Sequence, residues 1–593
     1  MKEQKTDHAP AVVTTAHAAP AAAEPLLDDV SIAVLAPGHP GVRPHWELAP
    51  LTDGLRMLSV RAEGVPVEIR FSVPLADAAG YWHPKGGWRR TLVADWEGLS
   101  QVCLVDGPAA GCLYEHSGAT LLTFAAADPV PEATVRFGVS EENDTHVVHL
   151  SLPASAEPHR LLLVPRAPSV ATAVRPLRTW FAAAHPPMPV PDAARLPAYS
   201  TWYAFNQDVT ADAVEAQAGP AAELGCGVLI LDDGWQRFGN GRGYAGCGDW
   251  QPDPAKFPDL AGHVARVRAL GLHYLLWVAP LLLGPEADCH DRWAASAPAP
   301  ATVPGGRVLD PRLPDVRRHV VELCVSLVRE YGVDGLKLDF LDEAAVYSGD
   351  GAGDVGRAMT ELLTEVRGAL EAVRPGLLLE LRQPYVGPGM APFGNMLRSF
   401  DCPADATANR VRILDTTLLA VGGAVHSDMV MWSRSAPVET VARQLIGALH
   451  AVPQISVRLD ELPPEHLAAV RFWLGRWHLH RELLLDGRTE PGRPDELYPL
   501  VVAARGDECL VSVHGDRVVE LDFAAYRRFH LVNGSDRDRV MVEVTGGGPV
   551  AARVHGPDGR MMNDPLTLLP EGPRSLAVPR GGLVSLVLTE GPR

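Results

Sequence analysis

Several things are scarce in this chain, and each scarcity closes off a class of function. Basic residues are outnumbered, giving a formal net charge of −19 over 593 residues. A surface so acidic is unsuited to nucleic acid or anionic membrane, both of which select cationic patches. Long apolar runs are missing as well. No stretch approaches the roughly 18–20 residues needed to cross a bilayer, so no membrane partner is expected. Only eight cysteines occur, at Cys103, Cys112, Cys226, Cys247, Cys289, Cys324, Cys402 and Cys509, without metal-ligand spacing. Free thiols in a cytoplasmic chain are the simplest account. Asp288-Cys289-His290-Asp291 has no partner pair elsewhere and reads as a polar loop, so no metal is expected. There is no glycine-rich phosphate loop, Gly546-Gly547-Gly548 reads as a turn, and no cofactor is expected. The N-terminal stretch lacks a continuous apolar core. Residues 1–28 read as a disordered tail, with the small residues from Ala18 to Ala23 leaving export open.

What is present is a three-part pattern. Residues 29–190 hold short runs of alternating character, such as Val67-Glu68-Ile69-Arg70-Phe71-Ser72-Val73, the mark of an antiparallel β-sandwich. Prolines at 186, 187, 189 and 191 mark a connection. Over residues 191–488, apolar strands alternate with helical patterns, for example 316–330 and 356–373, which implies a (β/α)8 barrel. Residues 489–593 return to short β runs and read as a small C-terminal β-sandwich.

Chemistry concentrates where the barrel strands end. Gly335-Leu336-Lys337-Leu338-Asp339-Phe340 is an apolar strand finishing in an aspartate, with Lys337 two residues earlier on the same face. A carboxylate at a strand's C-terminal end, kept ionised by an adjacent cation, suits nucleophilic attack on an anomeric carbon. A structural ion pair is the bland alternative. A second strand runs into Asp232-Asp233-Gly234-Trp235. Paired acids accept hydrogen bonds from adjacent sugar hydroxyls, and an aromatic plate covers the ring's apolar edge. An Asp-Gly turn capping a helix is the competing reading. Trp250 follows in a Gly-Asp-Trp loop, Trp277 lies near the end of the next strand, Glu380 and Arg382 share a strand, and Met396 to Asp401 ends in another acid.

The order LDDGW, GDW with KFPD, DPRLPDVRRHV, YGVDGLKLDF and an Arg-x-x-Asp strand end resembles the melibiase-type α-galactosidases of glycoside hydrolase family 36. The resemblance is strongest from about Tyr199 to Gly487. It implies a retaining hydrolase of terminal α-galactosides, with the position of Asp339 as nucleophile, Lys337 on sugar hydroxyls, and Asp232 and Asp233 on the outer hydroxyls. The chain departs from the family in three places. Glu380 to Gly387 replaces a glycine run, Phe400-Asp401-Cys402-Pro403-Ala404-Asp405 replaces Ser-Asp-x-x-Asp, and no glutamate follows Trp277. Glu380/Tyr385 and Arg398/Asp401 look closer to the related animal and plant α-galactosidases.

Retention requires a second carboxyl roughly 5–5.5 Å from the first. Asp401 and Asp405 are the candidates for this acid/base. Asp401 is preferred because it ends its strand directly beside Arg398. Expected substrate contacts are Asp232, Asp233, Trp235, Trp250, Trp277, Lys337, Glu380, Tyr385, Arg398 and Asp405. The expected partner is a carbohydrate. Self-association, transfer to a sugar acceptor, and action on α-N-acetylgalactosaminides or α-glucosides stay open. A non-catalytic sugar-binding protein is disfavoured, since it has no use for a second carboxylate opposite the first.

Overall fold

A computed structural model describes residues 23–589 apart from 53, 76, 88, 89 and 563–566. At its centre eight parallel strands close into a barrel. They are β1 (Ala198–Ser200), β2 (Val228–Leu231), β3 (His273–Val278), β4 (Gly335–Leu338), β5 (Leu378–Arg382), β6 (Met396–Arg398), β7 (Ala424–Val430) and β8 (Val452–Ile455). β1 pairs with both β2 and β8, which completes the ring. Strands such as Val228-Leu229-Ile230-Leu231 are buried along their whole length, as a parallel sheet covered by helices demands.

The helix expected over 316–330 runs Pro314–Tyr331, and the one over 356–373 runs Val355–Val373. The first opens with Pro314 at N1 and closes on Gly332 in the left-handed region, the two signals that bound a helix most sharply. Between β5 and β6 the chain makes only a short 3₁₀ turn, Pro388–Met390, in place of a full helix.

Two six-stranded antiparallel sheets precede the barrel and face each other across a core that includes Ile32, Leu58, Phe71, Phe124 and Leu150. Alternation builds this interface. In Val67–Pro74 the residues Val67, Ile69, Phe71 and Val73 are buried and those between are half-exposed. Part of the tail expected over residues 1–28 is a strand, because Glu24–Leu27 pairs antiparallel with Val30–Leu35 across a tight turn. Leu26 and Leu27 pack against the sandwich core, which rewards ordering that stretch; residues 1–22 lie outside the described residues. After the barrel, a larger and a three-stranded sheet enclose a second β core containing Leu521, Phe529, Val542 and Leu586.

One buried aspartate ties the three regions together. Asp415, on the barrel helix Ala406–Leu419, accepts from Trp82 Nε1 at 2.9 Å, Arg90 Nη1 at 3.0 Å and Tyr498 OH at 2.6 Å. Satisfying a buried carboxylate from both flanking regions makes their orientation costly to change.

Candidate active site

Strand alternation puts Lys337 and Asp339 on the inner face at the top of β4, and Glu380 and Arg382 on the inner face of β5. Asp339 is then held by groups from three strands. Its Oδ1 accepts from Arg382 Nε at 2.6 Å, from the Phe340 backbone N–H at 2.8 Å and from Tyr385 OH at 3.3 Å. Its Oδ2 takes one bond, from Trp277 Nε1 at 2.9 Å. Burial pushes this carboxyl up, but Arg382, then Lys337 and Arg398, with the Trp277 bond, outweigh it and hold the group well below the usual carboxylate range. Phe340 sits at φ 54°, a left-handed conformation that costs a bulky residue roughly 1–2 kcal/mol. The turn aims its N–H at the carboxylate.

Lys337 was expected to face Asp339, but its Nζ bonds Asp232 Oδ2 at 2.6 Å. The cation in contact with Asp339 is Arg382. Its guanidinium lies 5.2 Å from the ring centres of Phe340 and Phe400 and 5.3 Å from that of Tyr385. Flat aromatic walls suit a guanidinium better than an ammonium, because its planar charge stacks and is weakly hydrated. Arg382 escaped the site reading, although its position two residues after Glu380 placed it on the same face.

The paired acids diverge in role. Asp232 is neutralised by Lys337 and also accepts from Ser200 Oγ at 3.3 Å. Asp233 accepts from Gln207 Nε2 and Gln236 Nε2, both at 2.7 Å. Burial, against those two bonds and with Asp232 and Asp339 nearby, pushes the Asp233 carboxyl up to about 6. Gly234 makes the turn possible. It has φ 113°, and a Cβ there would lie 2.5 Å from the Gln207 backbone.

Trp235 does not cover a sugar edge. It is fully buried, its Nε1 donates to the Trp277 carbonyl at 2.9 Å, and its ring packs against Trp250 and Tyr331. Past the strained Gly234 the strand's alternation no longer sets which side a residue takes. Trp250 is likewise buried, 5.5 Å from the Trp277 ring, and braces it.

Arg398 organises the opposite wall. Its Nη1 bonds Asp401 at 2.8 Å and Asp428 at 2.7 Å, and its Nε lies 3.6 Å from Glu380. Glu380 is completely enclosed and accepts from Gln454 Nε2 at 2.6 Å, so it steadies Arg398 from below. Asp428 also accepts from Tyr203 OH at 3.0 Å and the Cys402 N–H at 2.7 Å. Burial, against Arg398 and with Asp401 nearby, raises Asp428 to about 6. Asp401 is the open member, with its side chain 47 % exposed. Partial burial raises its carboxyl, but Arg398 and then Lys337 hold it below the ordinary value.

Asp405 has a different task from the one expected. Its carboxylate caps helix Ala406–Leu419 by accepting the Ala408 N–H at 2.8 Å, and it bonds to no other expected site residue. Asp342, not anticipated, lies 3.4 Å from Arg382 Nη2, and burial together with Asp339, against Arg382, raises it to about 6. Beyond it a cavity of about 310 Å³ opens between the N-terminal sandwich and the barrel, where Lys85, Asp106, Asp342, Gln383, Phe400 and Arg412 meet.

Asp232, Asp233, Trp277, Lys337, Asp339, Tyr385, Arg398 and Asp401 therefore converge at the C-terminal mouth of the barrel, with Glu380 beneath. Residues 194–351 match the family model described as Melibiase. An α-galactosidase of Escherichia coli is 31 % identical over 172 residues, covering 28 % of this chain and 23 % of that protein. The α-galactosidase AgaA of Geobacillus stearothermophilus is 30 % identical over 148 residues, 24 % of this chain and 20 % of that protein. These alignments thus span less than a quarter of the curated relatives' length. The solved GH36 α-galactosidase AgaA shares the fold with a TM-score of 0.61 at 16 % identity, covering 96 % of this chain and 84 % of that one. A Lactobacillus brevis α-galactosidase gives 0.63 at 14 % identity, over 97 % and 84 %.

The fold these solved structures share with the chain is a closed eight-stranded barrel carried between β-sheet regions, and the Melibiase match lies within that barrel.

Proposed function

We propose that the protein hydrolyses terminal α-linked galactosides by double displacement with retention. The observation that carries this reading is Asp339. Three donors anchor its Oδ1, the charges of Arg382, Lys337 and Arg398 keep it ionised, and Oδ2 carries a single bond among the described residues and is the oxygen left to attack. Oδ2 bonds to the anomeric carbon as the glycosidic C–O bond breaks. Asp401 gives its proton to the departing oxygen and later takes one from the water that cleaves the ester. Arg398 keeps Asp401 ionised in the free protein, so its proton uptake belongs to the complex, where bound sugar excludes water and weakens the charged form. Asp232 and Asp233 accept the outer hydroxyls, and Lys337 donates beside them. The leaving group extends toward the cavity beyond Asp342 and Phe400. In this reading residues 191–488 are the catalytic unit. Eight free cysteines, seven of them buried, support a cytoplasmic setting.

The test is a panel of aryl α- and β-glycosides followed by trapping with a mechanism-based fluorosugar. The expected result is preference for α-galactosides over α-glucosides by at least about a hundredfold in kcat/KM, with the label on Asp339. Equal rates on both sugars, or a label on another carboxylate, would overturn the reading. Transfer to added sugar acceptors faster than hydrolysis would make the enzyme a transferase.

A further inference from the structure

Far from the barrel mouth, two imidazoles and a carboxylate converge where the barrel's last helices meet the C-terminal sandwich. His480 lies between helices Pro464–Leu479 and Arg481–Asp486. Glu508 opens strand Glu508–Val513, and His530 belongs to strand Arg528–Asn533. These strands are parallel neighbours with Leu510 opposite His530, so Glu508 sits two residues away on the same face as His530. His480 Nδ1 is 3.0 Å and His530 Nε2 is 2.8 Å from the same oxygen, Glu508 Oε1. One possible ligand atom from each of the three residues lies within 4.8 Å of the other two.

We propose that His480, Glu508 and His530 form a binding site for a divalent transition ion of the zinc or cobalt type. Two imidazole nitrogens and one carboxylate oxygen are a borderline donor set, suited to such ions and poorly suited to magnesium or calcium. Bonds of about 2.0–2.2 Å in tetrahedral geometry hold ligand atoms roughly 3.3–3.5 Å apart, so each imidazole nitrogen needs to draw back from Oε1 by about half an ångström. The surroundings support the geometry. Ser585 faces His530 in the neighbouring strand, and its Oγ lies 2.9 Å from His530 Nδ1, holding the ring so that Nε2 points at the cluster. Both imidazoles are buried, whereas the Glu508 side chain is 22 % exposed and leaves a solvent side for a fourth ligand, a water. The ion would clamp the barrel to the C-terminal sandwich and takes no part in glycoside cleavage. The alternative is a metal-free clamp in which both rings donate to Oε1.

Chelator-treated, tag-free full-length protein titrated with Co²⁺ and Zn²⁺ distinguishes the two. The site predicts one equivalent of Co²⁺ with the visible absorption of a four-coordinate nitrogen/oxygen complex. It also predicts displacement of that ion by Zn²⁺, and a rise in Tm with Zn²⁺ that Mg²⁺ does not produce. Glu508→Gln, which keeps shape and hydrogen bonding, should weaken Co²⁺ binding at least about tenfold, and His530→Gln should abolish the band. Absence of stoichiometric Co²⁺ binding to the unmodified protein, or binding in Glu508→Gln and His530→Gln as tight as in the unmodified protein, would overturn the proposal.

Discussion

Asp334 and Asp339 stand five residues apart, one at each end of the same barrel strand, and each is only 6 % exposed. Asp334 accepts from the Tyr274 N–H at 2.8 Å and Arg268 Nε at 3.0 Å, and it pairs with Arg374. Those arginines come from the ends of helices, with side chains 40 % and 31 % exposed. The lower carboxylate stitches helices to the barrel floor, and solvent shares its charge. At the upper end the partner cation is itself buried, 8 % exposed and walled by three aromatic rings. Burial of a carboxylate is common to both ends and identifies neither. The difference lies in where the neutralising charge comes from, and in whether an oxygen is left with spare capacity.

The largest expected effect separates the two directly. Asp339→Asn should lower turnover by at least about ten thousandfold, because the amide forms no glycosyl ester, and should also cost some stability, because the buried Arg382 loses its partner. Asp334→Asn should cost about 1–3 kcal/mol of stability with turnover changed less than about threefold. Comparable activity losses in kinetic assays of both variants would erase the contrast.

Next in size is Asp401. Asp401→Ala should reduce kcat/KM on oligosaccharides by about a thousandfold. Dinitrophenyl galactosides, whose leaving oxygen needs little protonation, should lose under about tenfold. Azide should restore turnover. The same pattern in Asp342→Ala, with Asp401→Ala silent, would transfer the acid/base role to Asp342.

Arg382→Gln should cost about a hundredfold in kcat/KM, and its pH profile carries the sharper information. Without that cation, burial dominates and the Asp339 carboxyl rises, so the acid limb must move to higher pH. An unmoved limb would mean that Lys337 and Arg398 suffice.

The smallest effect concerns the limb near pH 6 in the unmodified protein. Asp233 is raised to about 6, so lowering the pH through that value protonates it and removes an acceptor for sugar hydroxyls. kcat/KM should therefore fall several-fold below about pH 6. Asp233→Asn should flatten this limb, whereas Asp342→Asn, at a group also raised to about 6, should keep it.

Local rules carried the reading of the barrel a long way. Alternation placed Lys337 with Asp339 and Glu380 with Arg382, and strand ends running into acids located the mouth. Those rules stop where the backbone leaves the strand. Trp235 follows a glycine at φ 113°, and beyond it parity says nothing about direction. Asp405 shows the same limit from the other side, since a loop acid and a helix cap look alike until the helix start is placed.

By itself, the order of residues determined the architecture and singled out the carboxylate proposed as nucleophile, because side-chain direction along a strand and the period of a helix are local consequences of backbone geometry. Tertiary structure alone decided the pairing of charges. Lys337 met Asp232 across 105 residues, and Arg382 took Asp339. Arg398 gathered Asp401, Asp428 and Glu380, and His480, Glu508 and His530 came together from helix and sheet. Coulomb attraction acts through distance in space and not along the chain, so the partner of a buried charge is known only once the barrel has closed.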